Sequence, residues 1–287
     1  MDVYFADLRS QLDGRGNFGD ELNNVIWPDV LGAALELATD KTLVGIGTIL
    51  SNRLARFPDV IVCGAGTGYE ACDRSRLNGT VYCVRGPLTA DALGLPRMAA
   101  AVDPGILAGE YAPALDPTDI GYMPHAFEVI QSGHLLLKVC EDLGLRYVDP
   151  CQPVGDVLKE LAKCKLLITE AMHGAIVADS MRIPWCPVAT SAGILEFKWL
   201  DWCASLELEF SFKRVYRFAR LRRFGRWYET IERQLFVSQL KKVLRSQSSL
   251  LSDEKSIDRA RSKLMAVIQQ LKDDLTAGQI GRNGITL

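Results

Sequence analysis

Along residues 1–200, short unbroken apolar runs alternate with glycine- or proline-marked turns and stretches of helical spacing. In the first half, Val3–Phe5, Leu43–Gly47, Val60–Gly64 and Thr80–Val84 read as strands, and Val102–Leu107 reads as a further strand and turn. Runs of this length and composition suit strands covered on both faces, as in parallel sheets. Helical patterns lie at Leu22–Leu31, interrupted by Pro28, and at Pro87–Leu93, where the proline suits a first helical position. Tyr111–Asp119, rich in Pro and Asp, reads as a linker. Beyond it the pattern starts again. Strands are expected at Ile120–Met123, Leu145–Val148, Leu166–Ile168 and Trp185–Val188, with helices at His134–Leu143, Val154–Cys164 and Ala175–Met181 between them. Two successive βαβα runs predict an α/β chain: two Rossmann-like parallel-sheet domains, residues 1–112 and 118–200, facing each other across a cleft. A helical C-terminal extension, residues 201–287, follows, with helices at Tyr228–Arg245 and Ile257–Leu275 that can pair, and a loosely ordered end over Thr276–Leu287.

In open α/β sheets ligands bind at the C-terminal ends of strands, so the polar residues there are the candidates. The turn after Leu166–Ile168 carries Glu170, Met172, His173 and Gly174 and leads into a helix whose first N–H groups face an anion readily. It is either an acid/base and anion-binding turn or an ordinary β–α turn with a capping histidine. The glycine-rich turn Gly14–Asn23 holds Asn17, Gly19 and Asp20; here Asp20 either caps the following helix or faces a ligand. Arg85 sits at a strand end beside a helix start, suited to a carboxylate or phosphate, or else to a surface ion pair. Gly66 and Thr67 lie at another strand mouth, and His125 ends the first strand of the second half.

Composition narrows the classes. A hydrophobic share of 48% and a charged share of 24% are those of a soluble globular chain. The eight cysteines form no CxxC pair and there are three histidines, so a zinc site is not expected; buried, reduced thiols are. The N-terminus lacks a secretory pattern and no run approaches a membrane span, so a cytoplasmic protein is expected, with any membrane contact peripheral. Glu207–Trp227 interleaves Lys213, Arg214, Arg217, Arg220, Arg222, Arg223 and Arg226 with aromatics. It reads either as an amphipathic helix on the body or as a surface for anionic lipid, a phosphorylated acceptor or nucleic acid. Of these, nucleic acid is the less expected partner, because the remainder of the chain is not basic; the net charge of −2 does not choose among partners.

Six motifs occur in an order that resembles the polysaccharide pyruvyl transferases: Asn17–Asn23, Gly45–Leu50, Gly64–Gly68, Val84–Pro87, Asp103–Gly105 and Glu170–Ala175. The likeness is strongest to bacterial exopolysaccharide ketal-pyruvate transferases of the succinoglycan type and covers residues 1–190. It implies a two-domain fold like that of GT-B glycosyltransferases. It also implies transfer of pyruvate from phosphoenolpyruvate onto two hydroxyls of a sugar, usually lipid-linked at the inner membrane face, with release of phosphate and no cofactor or metal.

That chemistry assigns roles. His173 is the expected general acid, Asp20 or Glu170 the base, and Arg85 with the helix starts after Gly19 and Gly174 the binder of the donor anion. Asn17, Gly66, Thr67, His125 and Met172 complete the expected substrate site. Many family members carry Arg-Leu-His where this chain has Ala171-Met172-His173, which leaves anion binding to Arg85 with Arg53, Arg74 or Arg182 as reserves. Two other functions fit the same pattern: a GT-B glycosyltransferase using a nucleotide sugar, and a non-catalytic binding protein at a membrane surface.

Overall fold

The computed structural model describes residues 1–190, 193–215, 226–246 and 248–287. In chain order the strands are β1 (Asp2–Tyr4), β2 (Thr42–Val44), β3 (Val60–Cys63), β4 (Gly79–Cys83), β5 (Asp119–Met123), β6 (Arg146–Tyr147), β7 (Cys164–Thr169), β8 (Trp185–Ala189), β9 (Lys213–Arg214) and β10 (Ile285–Thr286). The helices are α1 (Phe18–Glu21), α2 (Asn23–Leu31), α3 (Pro87–Ala92), α4 (Ala126–Leu143), α5 (Val154–Ala162), α6 (Met172–Ser180), α7 (Glu196–Ser205), α8 (Arg226–Arg245) and α9 (Glu254–Ala277).

The first sheet has the order β1-β2-β3-β4-β10, parallel except for β10, which runs antiparallel along β4. The second has the order β6-β5-β7-β8-β9 and is parallel throughout. The apolar runs VIVC of β3 and WCPVA of β8 are buried at every position, as strands covered on both faces require. The largest apolar cluster does not stop at either sheet. It runs from Ile61 and Ile106 on the first side through Met123 and Ile176 to Trp185 and Leu264. Helix α6 packs along the 3-10 turn Pro104–Tyr111, so the two sheets share a sealed face.

Several elements differ from the pattern-based expectation. Val102–Leu107 is no strand: Pro104 opens a 3-10 turn, Asp103 caps it by accepting from the Gly105 N–H at 2.9 Å, and Ile106–Ala108 bury into the shared core. The apolar character was right and the period misleading. Helix α4 begins at Ala126, eight residues before the expected start, with a kink at Ser132 whose φ is −145°. Helix α7 was not anticipated.

The C-terminal residues are spread over both sheets. Helix α8 packs on α4, and its Phe236 meets Tyr122 of β5 edge-on, while α9 crosses to the first sheet and packs near α2 and β4. The two long helices therefore lie on different sheets. Thr276–Leu287 is pinned as well. Asp274 accepts from the Tyr82 hydroxyl at 2.7 Å and from the Asn283 N–H and amide, and β10 then pairs with β4. Of the basic–aromatic stretch, Phe210 and Phe212 pack on buried Trp199, and Lys213–Arg214 forms β9. The expectation for residues 216–225 lies outside the described residues. All eight cysteines are free thiols.

A buried carboxylate ties the start of α9 to the second sheet. Asp179 accepts from Trp185 Nε1 at 2.8 Å, from the Ser252 N–H at 3.0 Å and from the Ser252 hydroxyl, while Arg182 donates to the Ser252 carbonyl at 2.6 Å. Removing the acceptor strands buried donors, so Asp179→Ala is expected to lower unfolding free energy by about 2–4 kcal/mol. Urea unfolding measures this, and a loss under about 0.5 kcal/mol would show that the donors find other partners.

Candidate active site

A cavity of about 580 Å³ opens where the two sheets meet. The first side lines it with Asn17 and Asp20 of the α1 turn, Gly47–Ile49 after β2, and Tyr69 and Glu70 after β3. The second side contributes His125, Phe127 and Gln131 around the start of α4, Glu170, Met172 and His173 around the start of α6, and Lys198 on α7. These positions follow β2, β3, β5 and β7 in the chain, the end at which parallel sheets bind ligands. A recess of about 40 Å³ continues past Gly19 and shares Asn17, His125, Met172, His173 and Lys198.

His173 stands in the first turn of α6, held between two glycines. A Cβ on Gly19 would lie 1.9 Å from His173 Nδ1, and one on Gly105 would lie 3.4 Å from its Cδ2. His173 Nε2 is 3.6 Å from Oδ2 of Asp103, a side chain with no exposure. Burial pushes the Asp103 carboxyl up, but His173, the Arg85 charge and the Gly105 N–H outweigh it and hold the group below the ordinary range. Helix α6 carries no side-chain cap, so its positive end is open at the cavity.

Asp20 does not cap a helix. It lies inside α1, whose N-cap is Asn17, and its Oδ2 accepts from Asn17 Nδ2 at 2.8 Å. Burial pushes its carboxyl up to about 6, against the opposing pulls of His173, the Asn17 amide and Lys198. Asn23 fixes this turn: it donates to the carbonyls of Asp20 and Ile46 and accepts from the Ile46 and Trp27 N–H groups, all at 2.9–3.0 Å.

Glu170 reaches the cavity wall, yet both its oxygens are engaged, by the Tyr122 hydroxyl at 2.6 Å and the Thr190 hydroxyl at 2.7 Å. Burial raises it to about 7, the two hydroxyls pull it back in part, and Glu128 adds to the rise. His125 accepts from the Phe127 N–H and stacks on that ring at 5.6 Å. Burial, helped by the charge of Lys198, pushes its imidazole down to about 3, so it is neutral near pH 7.

Arg85, expected at the donor anion, is placed elsewhere. Its side chain is fully buried, and Nε donates to Asp201 Oδ2 at 2.9 Å. Nη1 donates to the Thr48 hydroxyl at 2.7 Å, and Nη2 approaches the Thr67 carbonyl at 3.4 Å. Gly66 is part of that arrangement, since a Cβ there would lie 2.2 Å from the guanidinium carbon. Arg85, Gly66 and Thr67 thus form the wall behind Thr48 and do not line the cavity. Gly174 packs on Met123 Sδ. Arg53 pairs with Glu70, Arg74 donates to the Gly94 carbonyl, and Arg182 is bound to Ser252.

Among the described lining residues the basic side chain is Lys198, which donates to the Tyr69 hydroxyl at 3.1 Å. Sequence reasoning missed Lys198, Asp103 and Asp201. Asp103 lay within a noted motif, whereas the two α7 residues carry no local signal.

The family model for polysaccharide pyruvyl transferase matches residues 17–192. The chain is also similar to the succinoglycan biosynthesis protein ExoV of Rhizobium meliloti (strain 1021), with 34% identity over 208 residues. That alignment takes in 70% of this chain, which spans 65% of the length of that relative.

The raised Asp20 pKa has a thermal consequence. With an unfolded value near 3.9, the stability that depends on the protonated carboxyl is fully present below about pH 4. It is lost as pH rises through about 6. Asp20→Asn is therefore expected to gain thermal midpoint over the parent as pH goes from 4 to 8, most of it before pH 7. Scanning fluorimetry across that range reads the difference; a constant offset would mean an unperturbed carboxyl.

Proposed function

The chain belongs to the polysaccharide pyruvyl transferase family, and we propose that it transfers pyruvate from phosphoenolpyruvate to a sugar of an exopolysaccharide as a cyclic ketal. The observation that carries the reading is the meeting of His173 and Asp20 at one cavity with Lys198 and the uncapped start of α6. Phosphoenolpyruvate brings a carboxylate and a phosphate. Lys198 and the N-terminal end of α6 supply the positive potential for them. This replaces Arg85 as the direct anion partner and leaves Arg85 to hold the wall.

The bond changes balance without a redox step. His173 gives a proton to C3 of the enol, which makes C2 electrophilic. A sugar hydroxyl adds to C2 and loses its proton to Asp20. Phosphate then leaves with the electrons of its C2–O bond, and the second hydroxyl closes the ketal. Of the two hydroxyl protons, one replaces that given to C3 and the other departs with phosphate. Asp20 is the better base, because both oxygens of Glu170 already accept from hydroxyls; Glu170 braces the turn that carries His173.

The cavity between the sheets supports a GT-B-like, two-domain reading, with one wall from each side. The reading extends to a lipid-carried acceptor at the cytoplasmic membrane face, met by the basic–aromatic stretch around Lys213.

Two measurements test it. Phosphoenolpyruvate is expected to raise the thermal midpoint while nucleotide sugars leave it unmoved; the reverse favours a nucleotide-sugar glycosyltransferase. Phosphate release from phosphoenolpyruvate is expected only with a saccharide acceptor, and His173→Gln is expected to lower it by about 10²-fold or more. Undiminished release by the folded variant would remove His173 from the chemistry.

A further inference from the structure

The slot around His173 says which nitrogen does the work. Its ring has two distinct edges. Nε2 is buried, faces Asp103 Oδ2 at 3.6 Å, and neither atom has another hydrogen-bond partner. The second Asp103 oxygen is already committed to the Gly105 N–H at 2.9 Å, so Oδ2 is the oxygen left over. Nδ1 faces Gly19, where a Cβ would come within 1.9 Å of it and only a glycine leaves room for the ring; the side chain as a whole keeps 15% exposure, whereas Nε2 is buried.

We propose that Asp103 is a positioning residue that holds Nε2–H of His173, leaving Nδ1 as the nitrogen that exchanges a proton with a ligand in the cleft. An imidazole whose one nitrogen is bound to a buried carboxylate is fixed in tautomer and orientation, and its protonated form is stabilised. The present 3.6 Å separation is beyond a hydrogen bond and closes with a shift of about 0.6 Å, the kind of tightening that ligand binding brings.

The other charged or titratable groups facing the ring come from every wall. Asp20 on α1 interacts with the ring's charge, and Lys198 on α7 and His125 before α4 line the same recess as His173. Glu170 precedes α6 at the cavity wall, and Arg85 acts from behind Asp103. Asp103 differs from the other acids in having its charge favoured where it stands, by His173, Arg85 and the Gly105 N–H together.

The inference rests on His173 as the acid of the proposed transfer, and the test separates the two. In the full-length ¹⁵N-labelled protein, long-range ¹H–¹⁵N spectra report each ring nitrogen. With three histidines in the chain, His173→Gln identifies the signal. Neutral His173 is expected as the Nε2–H tautomer. Asp103→Asn is expected to mix the two neutral tautomers and to lower kcat/KM by about 10-fold or more. A neutral Nδ1–H tautomer in the parent, or a tautomer unmoved by Asp103→Asn, overturns the proposal. If Asp103→Asn does not fold, the parent's tautomer decides alone. An Nε2–H tautomer that Asp103→Asn disturbs, in a protein inert toward phosphoenolpyruvate, would sustain the pairing and sink the pyruvyl transfer.

Discussion

The arrangement hangs on a single buried charge. Arg85 has no exposed side-chain surface, and an unpaired guanidinium there would cost several kcal/mol. Asp201 meets it, and Asp201 is itself held by the N–H and hydroxyl of Thr89 at the start of α3. This network pins α7 to the first sheet, although α7 follows the second sheet's β8 in the chain. Lys198 lies three residues before Asp201, on the same face of the helix, so the cation of the cleft takes its position from the ion pair behind it. Thr48 extends the network to the cavity wall. The cavity wall is thus held from behind, by an ion pair that is not part of the lining.

Three carboxyl groups stand at or behind the cavity that His173 lines, and their surroundings hold them in different states. Asp103 is fully buried but supported by cations and an N–H, so it stays charged. Asp20 is nearly as buried with less support, and it titrates close to neutrality. Glu170 is clamped by two hydroxyls, and burial raises it to about 7. Similar acids in one cavity reach different protonation states through solvation and partners alone, the usual way in which a protein obtains an acid and a base from a small alphabet.

Much of this was legible in the sequence. Most strands were, because chains covered on both faces must be continuously apolar over a few residues. The turns with Asn17–Asp20 and Glu170–Gly174 were, because glycines and polar groups after such runs mark ligand ends of sheets. Arg85 was correctly set at a strand end but given the wrong neighbour. Its partner is 116 residues away, and no periodicity encodes that distance. Lys198 and Asp201 were invisible for the same reason. Val102–Leu107 looked like a strand because burial, the thing its apolar residues report, is common to strands and to a 3-10 turn packed under α6. The C-terminal end looked loose because the polar knot at Asp274 and the pairing of β10 are both long-range.

The return of β10 protects an edge. It lies antiparallel along the outer side of β4, from Ile285 on Val81 to Thr286 on Thr80. Without it the first sheet would present an unpaired strand on that side, the feature that recruits strands of other chains. The polar knot at Asp274 therefore guards against self-association as well as holding a helix in place.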